Sequence, residues 1–132
     1  MTVRAIPEGY HTVTPYLVVE GVPKLIEFLT RAFDAKEVFR MAMSDGTIRH
    51  AEVQIGDSRV MMGEAQGPHR PIPAMLHLYV ADADAVYARA KAAGAEIVLD
   101  IKDEDYGGRG FSCRDLEGHL WNFGTYDPWA SR

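Results

Sequence analysis

The chain has 132 residues, 47% hydrophobic and 25% charged, which suits a single domain with a real core and leaves no composition typical of disorder. Its net charge of -5, from 14 Lys+Arg against 19 Asp+Glu, comes without a basic cluster and argues against a nucleic-acid partner. One cysteine, Cys113, excludes an intrachain disulfide and fits a reducing compartment. No apolar run follows Met1-Thr2-Val3-Arg4, and no stretch is long and apolar enough for a bilayer. A cytoplasmic protein with no membrane partner is the expectation.

Taken in chain order, Thr12 to Val19 is the first strand candidate, ending in the β-forming run Tyr16-Leu17-Val18-Val19. A helix follows, with Pro23 in its first turn and Val22, Leu25, Ile26 and Leu29 on one face, stopping near Phe33-Asp34. Lys36 to Met43 reads as a strand closed by the turn Ser44-Asp45-Gly46. Ile48 to Ile55 alternates, with Ala51, Val53 and Ile55 on one face and His50, Glu52 and Gln54 on the other. Gly56-Asp57 turns the chain into a fourth strand, Ser58 to Glu64. Residues 67–73, with three prolines, cannot be helix or central strand and read as a linker.

The order then repeats. Met75 to Val80 is a strand, with Leu76, Leu78 and Val80 on one face and Met75, His77 and Tyr79 on the other. Asp82 or Asp84 caps a helix through Val86, Tyr87, Ala90 and Ala93 that stops at Gly94. Glu96 to Ile101, Arg109 to Arg114 and His119 to Thr125 complete the set, separated by a loop over 102–108 and the turn Asp115-Leu116-Glu117-Gly118. Registration supports the repeat. Arg31 to Lys36 lines up with Lys91 to Glu96, Val60-Met61-Met62 falls on Leu120-Trp121-Asn122, and Val18-Val19 falls on Tyr79-Val80. The expected class is α+β, two tandem β-α-β-β-β modules in one domain over 1–132, with module one about 10–66 and module two about 74–127.

The run from Tyr10 to Leu17, with Ile26-Glu27-Phe28-Leu29 and Ala32-Phe33, resembles the opening of the PhnB-like branch of the vicinal oxygen chelate superfamily. That superfamily holds glyoxalases, bleomycin-resistance proteins and extradiol dioxygenases. His50-Ala51-Glu52 with Ile55-Gly56-Asp57-Ser58 is similar to its middle, and Leu76 to Val80 with Asp115 to Trp121 to its second half. The resemblance implies curled sheets forming a cup, with helices on the outer faces. His50, Glu52 and Gln54, with Met75, His77 and Tyr79, would then line the cup. It also implies four metal-ligand positions, which register on Thr14, Met62, Met75 and Asn122. None supplies the carboxylate or imidazole a hard divalent ion wants, so no metal or other cofactor is expected there. A shifted site from His50, Glu52 and His77 is the alternative.

The expected ligand contacts are Tyr16, His50, Glu52, His77, Tyr106, Arg109 and Asn122. The loop around Tyr106 and Arg109 is either a lid or an ordinary hairpin loop. Trp121 and Phe123 should be core. Met41, Met43, Met61, Met62 and Met75 either fill the core or make an adaptable apolar pocket. His11 and His69 read as surface, His119 as structural and Cys113 as buried. The functional expectation is a small-molecule-binding protein holding an apolar or aromatic ligand, working as a homodimer. The second reading is a divalent-metal-dependent lyase, isomerase or dioxygenase.

Overall fold

Pro15 sets where the first strand can begin, because it has no N–H to give to a sheet. The computed structural model describes residues 3–105 and 107–125. In it β1 spans Tyr16–Val19, starting at Tyr16 rather than at Thr12. Pro15 contributes only its carbonyl, which accepts from the Met61 N–H at 2.9 Å. Helix α1 covers Val22–Phe33 with Pro23 in its first turn and no cap from its own side chains. Three strands follow: β2 (Lys36–Ala42), β3 (Ile48–Ile55) and β4 (Ser58–Glu64). Glu64, at the end of β4, supplies the missing cap. Its Oε1 accepts from Gly21 N–H at 2.9 Å and Val22 N–H at 2.7 Å, which also sets a negative charge at the positive end of the helix dipole.

The second set is β5 (Met75–Tyr79), α2 (Ala83–Ala92), β6 (Glu96–Asp103), β7 (Arg109–Arg114) and β8 (Leu120–Gly124). Asp82 is the cap of α2, since its carboxylate accepts from Ala85 N–H. β6 runs on to Asp103, beyond the expected end at Ile101, because Lys102 and Asp103 pair with Gly110 and Arg109. Each set makes a four-stranded sheet, in the orders β1-β4-β3-β2 and β5-β8-β7-β6. In both, the first and last strands run parallel and the hairpin neighbours antiparallel.

Contacts divide the chain into two compact units. The first takes the chain up to Thr30 and again from Asp34 to Ile72; the second takes Arg31–Phe33 and the chain from Pro73 onward. The core of the first unit is mainly aliphatic, with Leu17, Val19, Leu25, Leu29, Val53 and Met62 all buried. The second is aromatic. Phe33 lies 4.9 Å from Trp121 and 4.8 Å from Phe123, centroid to centroid, and Phe111 stacks on Phe123. Trp121 Nε1 donates to Asp115 Oδ2 at 2.8 Å, and Asp115 Oδ1 takes the N–H groups of Glu117 and His119. That buried carboxylate is therefore fully engaged. Among the described residues no helix is long and apolar enough to cross a membrane.

Candidate functional site

Strand parity decides which side chains share a face. On β3, Ala51 and Val53 are fully buried while His50 and Glu52 lie on the other face, half-buried. On β4, Val60 and Met62 are buried, and Met61 stands with His50 and Glu52. The pairings Tyr16↔Met61, Met61↔Glu52 and Glu52↔Phe39 run one row across the first sheet. In the second sheet His77↔Asn122 and Asn122↔Ser112 make the corresponding row. The repeat therefore matches Tyr16 with His77 and Met61 with Asn122.

This corrects the expected alignment of Met62 with Asn122. Met62 is 0% exposed and belongs to the core face. The physical reason is one extra residue in the second module: four residues separate the pair Gln54↔Arg59, whereas five separate Arg114↔Leu120. A slip of one residue turns a side chain to the opposite face.

On the first face four polar groups connect. Tyr16 Oη lies 3.1 Å from His50 Nδ1. His50 Nε2 lies 2.7 Å from Glu52 Oε2. Tyr10 Oη donates to Glu52 Oε1, and the Arg59 guanidinium sits over the Tyr10 ring at 4.8 Å. Burial pushes the Glu52 carboxyl above the ordinary glutamate range, and the charge of Arg59 offsets part of that rise. On the β2 side of this polar row the face is apolar and open, while Gln54 and Arg59 share it toward the β3–β4 turn. Phe39 is 48% and Met41 46% exposed; Met41 pairs with His50, and the Phe39 ring lies 6.0 Å from the His50 ring.

Gly63 makes the reach of Tyr16 possible. It pairs with His50 across β3 and β4, and the Tyr16 side chain crosses above it. A Cβ at Gly63 would fall 2.5 Å from Tyr16 Oη and 3.2 Å from the Arg49 carbonyl. A glycine inside a strand signals close approach, so this feature was legible in the letters. Tyr10 was not: it precedes β1 in an irregular segment, where periodicity carries no information.

A family model for the glyoxalase/bleomycin resistance protein/dioxygenase superfamily matches residues 10–123. The chain belongs to that superfamily. The uncharacterized protein Mb0911c of Mycobacterium bovis is 34% identical to it, over 84% of this chain and 80% of that protein. TioX from Micromonospora sp. ML1 superposes with a TM-score of 0.75 at 29% identity, covering 92% of this chain and all (100%) of TioX. The fosfomycin resistance protein FosX of Mesorhizobium loti shares the fold, with a TM-score of 0.67 at 19% identity over 89% of this chain and 92% of FosX.

The superfamily's metal-binding members make the donor set worth testing. With the register corrected, the four positions are Thr14, Met61, Met75 and Asn122. A hydroxyl, two thioethers and an amide offer no charge to a hard divalent ion, and Met75 is 68% exposed. In the alternative set, His50 and Glu52 are engaged with each other, and His77 packs edge-on against Tyr79 on the second sheet. Among the described residues no three His, Cys, Asp or Glu stand together as an ion would require. The residues present do not fit the superfamily's metal.

The remaining expected contacts fall elsewhere. Asn122 Oδ1 accepts from Ser112 Oγ at 2.6 Å, beside exposed His77. Arg109 does not join them. It shares its strand parity with buried Phe111 and Cys113 and turns toward α2, where Asp84 takes two of its N–H groups at 3.0 and 3.1 Å, with Asp103 at 3.2 Å. An arginine held this way is not a free cation over the sheet face. Tyr106 lies outside the described residues. His11 and His69 are exposed, while His119 is 1% exposed and accepts from Ala74 N–H. Burial, with Asp115 nearby, pushes the Cys113 thiol up to about 12. A cleft of about 320 Å³ opens beside the end of β4, lined by Glu20, Gln66 and Arg70 among others; it lacks aromatic walls and lies apart from the His50 row.

Proposed function

We propose that this protein binds a small, flat, apolar or aromatic molecule on the open face of its first sheet. The observation that carries this reading is the connected polar line Tyr16–His50–Glu52, set among exposed Phe39 and Met41 and half-buried Met61. Binding sites combine apolar area with a few oriented polar groups, and this face has that composition. The His50-Ala51-Glu52 and Gly56-Asp57-Ser58 runs support placing the chain in the PhnB-like branch. Large apolar side chains open on both sheets, including Phe39 and Met41 on one and Met75, Tyr79 and Leu99 on the other. They support a pair of identical chains as the working assembly. Light scattering checks that directly, against the 14.7 kDa of one chain.

The binding reading is tested with 5-nitroindazole, a flat aromatic whose pyrazole edge can meet the polar line. Saturable binding is expected, weakened about tenfold by Phe39→Ala through lost apolar contact. Binding unaffected by Phe39→Ala and by Met41→Ala would contradict the reading.

A further inference from the structure

With Glu52 ionised and His50 neutral, the hydrogen bonds on the first sheet allow one arrangement of protons. Glu52 Oε1 accepts from Tyr10 and Oε2 faces His50 Nε2 at 2.7 Å. An ionised carboxylate only accepts, so His50 Nε2 carries hydrogen. A neutral imidazole has one N–H, so Nδ1 is left bare and accepts from Tyr16 Oη at 3.1 Å. The arrangement is directional. A carboxylate orients an imidazole, and the imidazole holds the proton of a hydroxyl that is itself half exposed, Tyr16 being 50% open. The line ends on the open face that Phe39 and Met41 share.

We propose that Tyr16, His50 and Glu52 form a proton relay whose open end, Tyr16 Oη, takes a proton from a bound carbon acid, so that this face catalyses proton transfer as well as binding. This rests on the first sheet being the ligand face. In the forward step a C–H bond of the ligand breaks, and its proton goes to Tyr16 Oη. The proton of Tyr16 moves to His50 Nδ1, and the C–H electron pair stays on the ligand as a carbanion or enolate. The imidazolium so formed lies between Tyr16 and the Glu52 carboxylate, which stabilises it. Reversal returns a proton to the same or a neighbouring carbon, so the reaction class is exchange, epimerisation or isomerisation. The substrate class is a flat, conjugated molecule whose acidic C–H sits near one polar edge, because the relay is a narrow polar line between apolar side chains.

Tyr10 is a positioning residue in this scheme. In Glu52→Gln its hydroxyl still donates to the amide oxygen, which leaves the amide NH2 facing His50 Nε2. The imidazole must then accept at Nε2 and carry its hydrogen on Nδ1, and Tyr16 has nowhere to pass its proton. Removing the Tyr10 hydroxyl as well frees the amide to turn its oxygen toward His50.

The test uses 5-nitrobenzisoxazole, whose C–H deprotonation breaks its own N–O bond and releases a coloured cyanophenolate. Wild type should turn it over with saturation. Tyr16→Phe, His50→Gln and Glu52→Gln should each lower kcat by about 100-fold or more, with KM changed by less than about threefold. The ring nitrogens of His50, read by 15N NMR, should show hydrogen on Nε2 in wild type and on Nδ1 in Glu52→Gln. Tyr10→Phe added to Glu52→Gln should restore the first tautomer and part of kcat. Saturable 5-nitroindazole binding with turnover no faster than buffer would overturn the relay and leave the binding face standing. Absence of binding would overturn both. Full turnover by Tyr16→Phe, or an unchanged His50 tautomer in Glu52→Gln, would overturn the relay.

Discussion

In the first sheet the row crossing from the parallel strand pair reads Tyr16, Met61, Glu52, and in the second it reads His77, Asn122, Ser112. The backbone is the same; the chemistry is not. Beside Glu52, two residues back along β3, stands His50. The matching position beside Ser112 is Gly110, and there a Cβ would collide with the Phe123 carbonyl. The second sheet therefore has no room for an imidazole next to its row, and Ser112 closes onto Asn122 as a neutral pair. Of its charges, Arg109 turns to the helix side with Asp84 and Asp103, while Arg114, on the Ser112 side of β7, pairs with Glu96. One module carries a hydrogen-bonded line of Tyr16, His50 and Glu52 on its open face; the other carries there the neutral Ser112–Asn122 pair and the exposed Arg114–Glu96 ion pair. Duplication of a fold thus leaves each copy free to carry a different face.

The largest expected effect tests the cores. Asp115→Ala strips Trp121 Nε1 and two backbone N–H groups of their acceptor, and should destabilise by about 3 kcal/mol or more. Urea unfolding reads this, and a loss under about 1 kcal/mol would show that the second core does not depend on that carboxylate. Next come the two glycines. Gly110→Ala meets backbone and should cost about 1–3 kcal/mol. Gly63→Ala mainly meets the end of the Tyr16 side chain, so it should cost less while breaking the Tyr16–His50 hydrogen bond. Equal losses, or an intact His50 contact in Gly63→Ala, would contradict the distinction. Arg109→Gln should barely move the urea midpoint, because its ion pairs are exposed, and should leave 5-nitroindazole affinity unchanged.

The smallest effect is in pH. Glu52 has a raised carboxyl value, so the folded chain keeps its proton where the unfolded chain has lost it. Its contribution to stability therefore falls as pH rises from the ordinary glutamate range to the raised value, and is level above. Asp84 runs the other way. The hydrogen bonds from Arg109 hold its carboxyl below the usual range, so that stability is present above the ordinary value and lost as pH falls through the depressed one. Across the window just above the ordinary glutamate range, Glu52→Gln should gain stability relative to wild type as pH rises. A difference that stays flat there would mean that Glu52 is not desolvated.

The element order, both helices and the separation of Ala51 and Val53 from His50 and Glu52 were legible because period-2 alternation survives in β3. The burial of Trp121 and Phe123 was legible for the same reason in β8. Letters alone misalign Met62, because the strand pairing carries one extra residue in the second connection. The letters suggest a ligand contact for Arg109 because it sits beside glycines in a loop-like stretch. Strand parity, with Phe111 and Cys113 on the same side, was the better guide. The Tyr10 contact depends on an irregular segment returning to the sheet, and neither propensity nor period encodes that.

The distribution of methionines allows the central claim to be tested directly. Met41 and Met61 lie on the face of the first sheet, Met75 on that of the second, and Met62 in the core. With 13C-labelled methionine methyls, added 5-nitroindazole should shift Met41 and Met61 saturably and in step, leaving Met75 and Met62 nearly still. A titration that moves Met75 while Met41 and Met61 stay fixed would place the ligand on the second sheet and contradict the account.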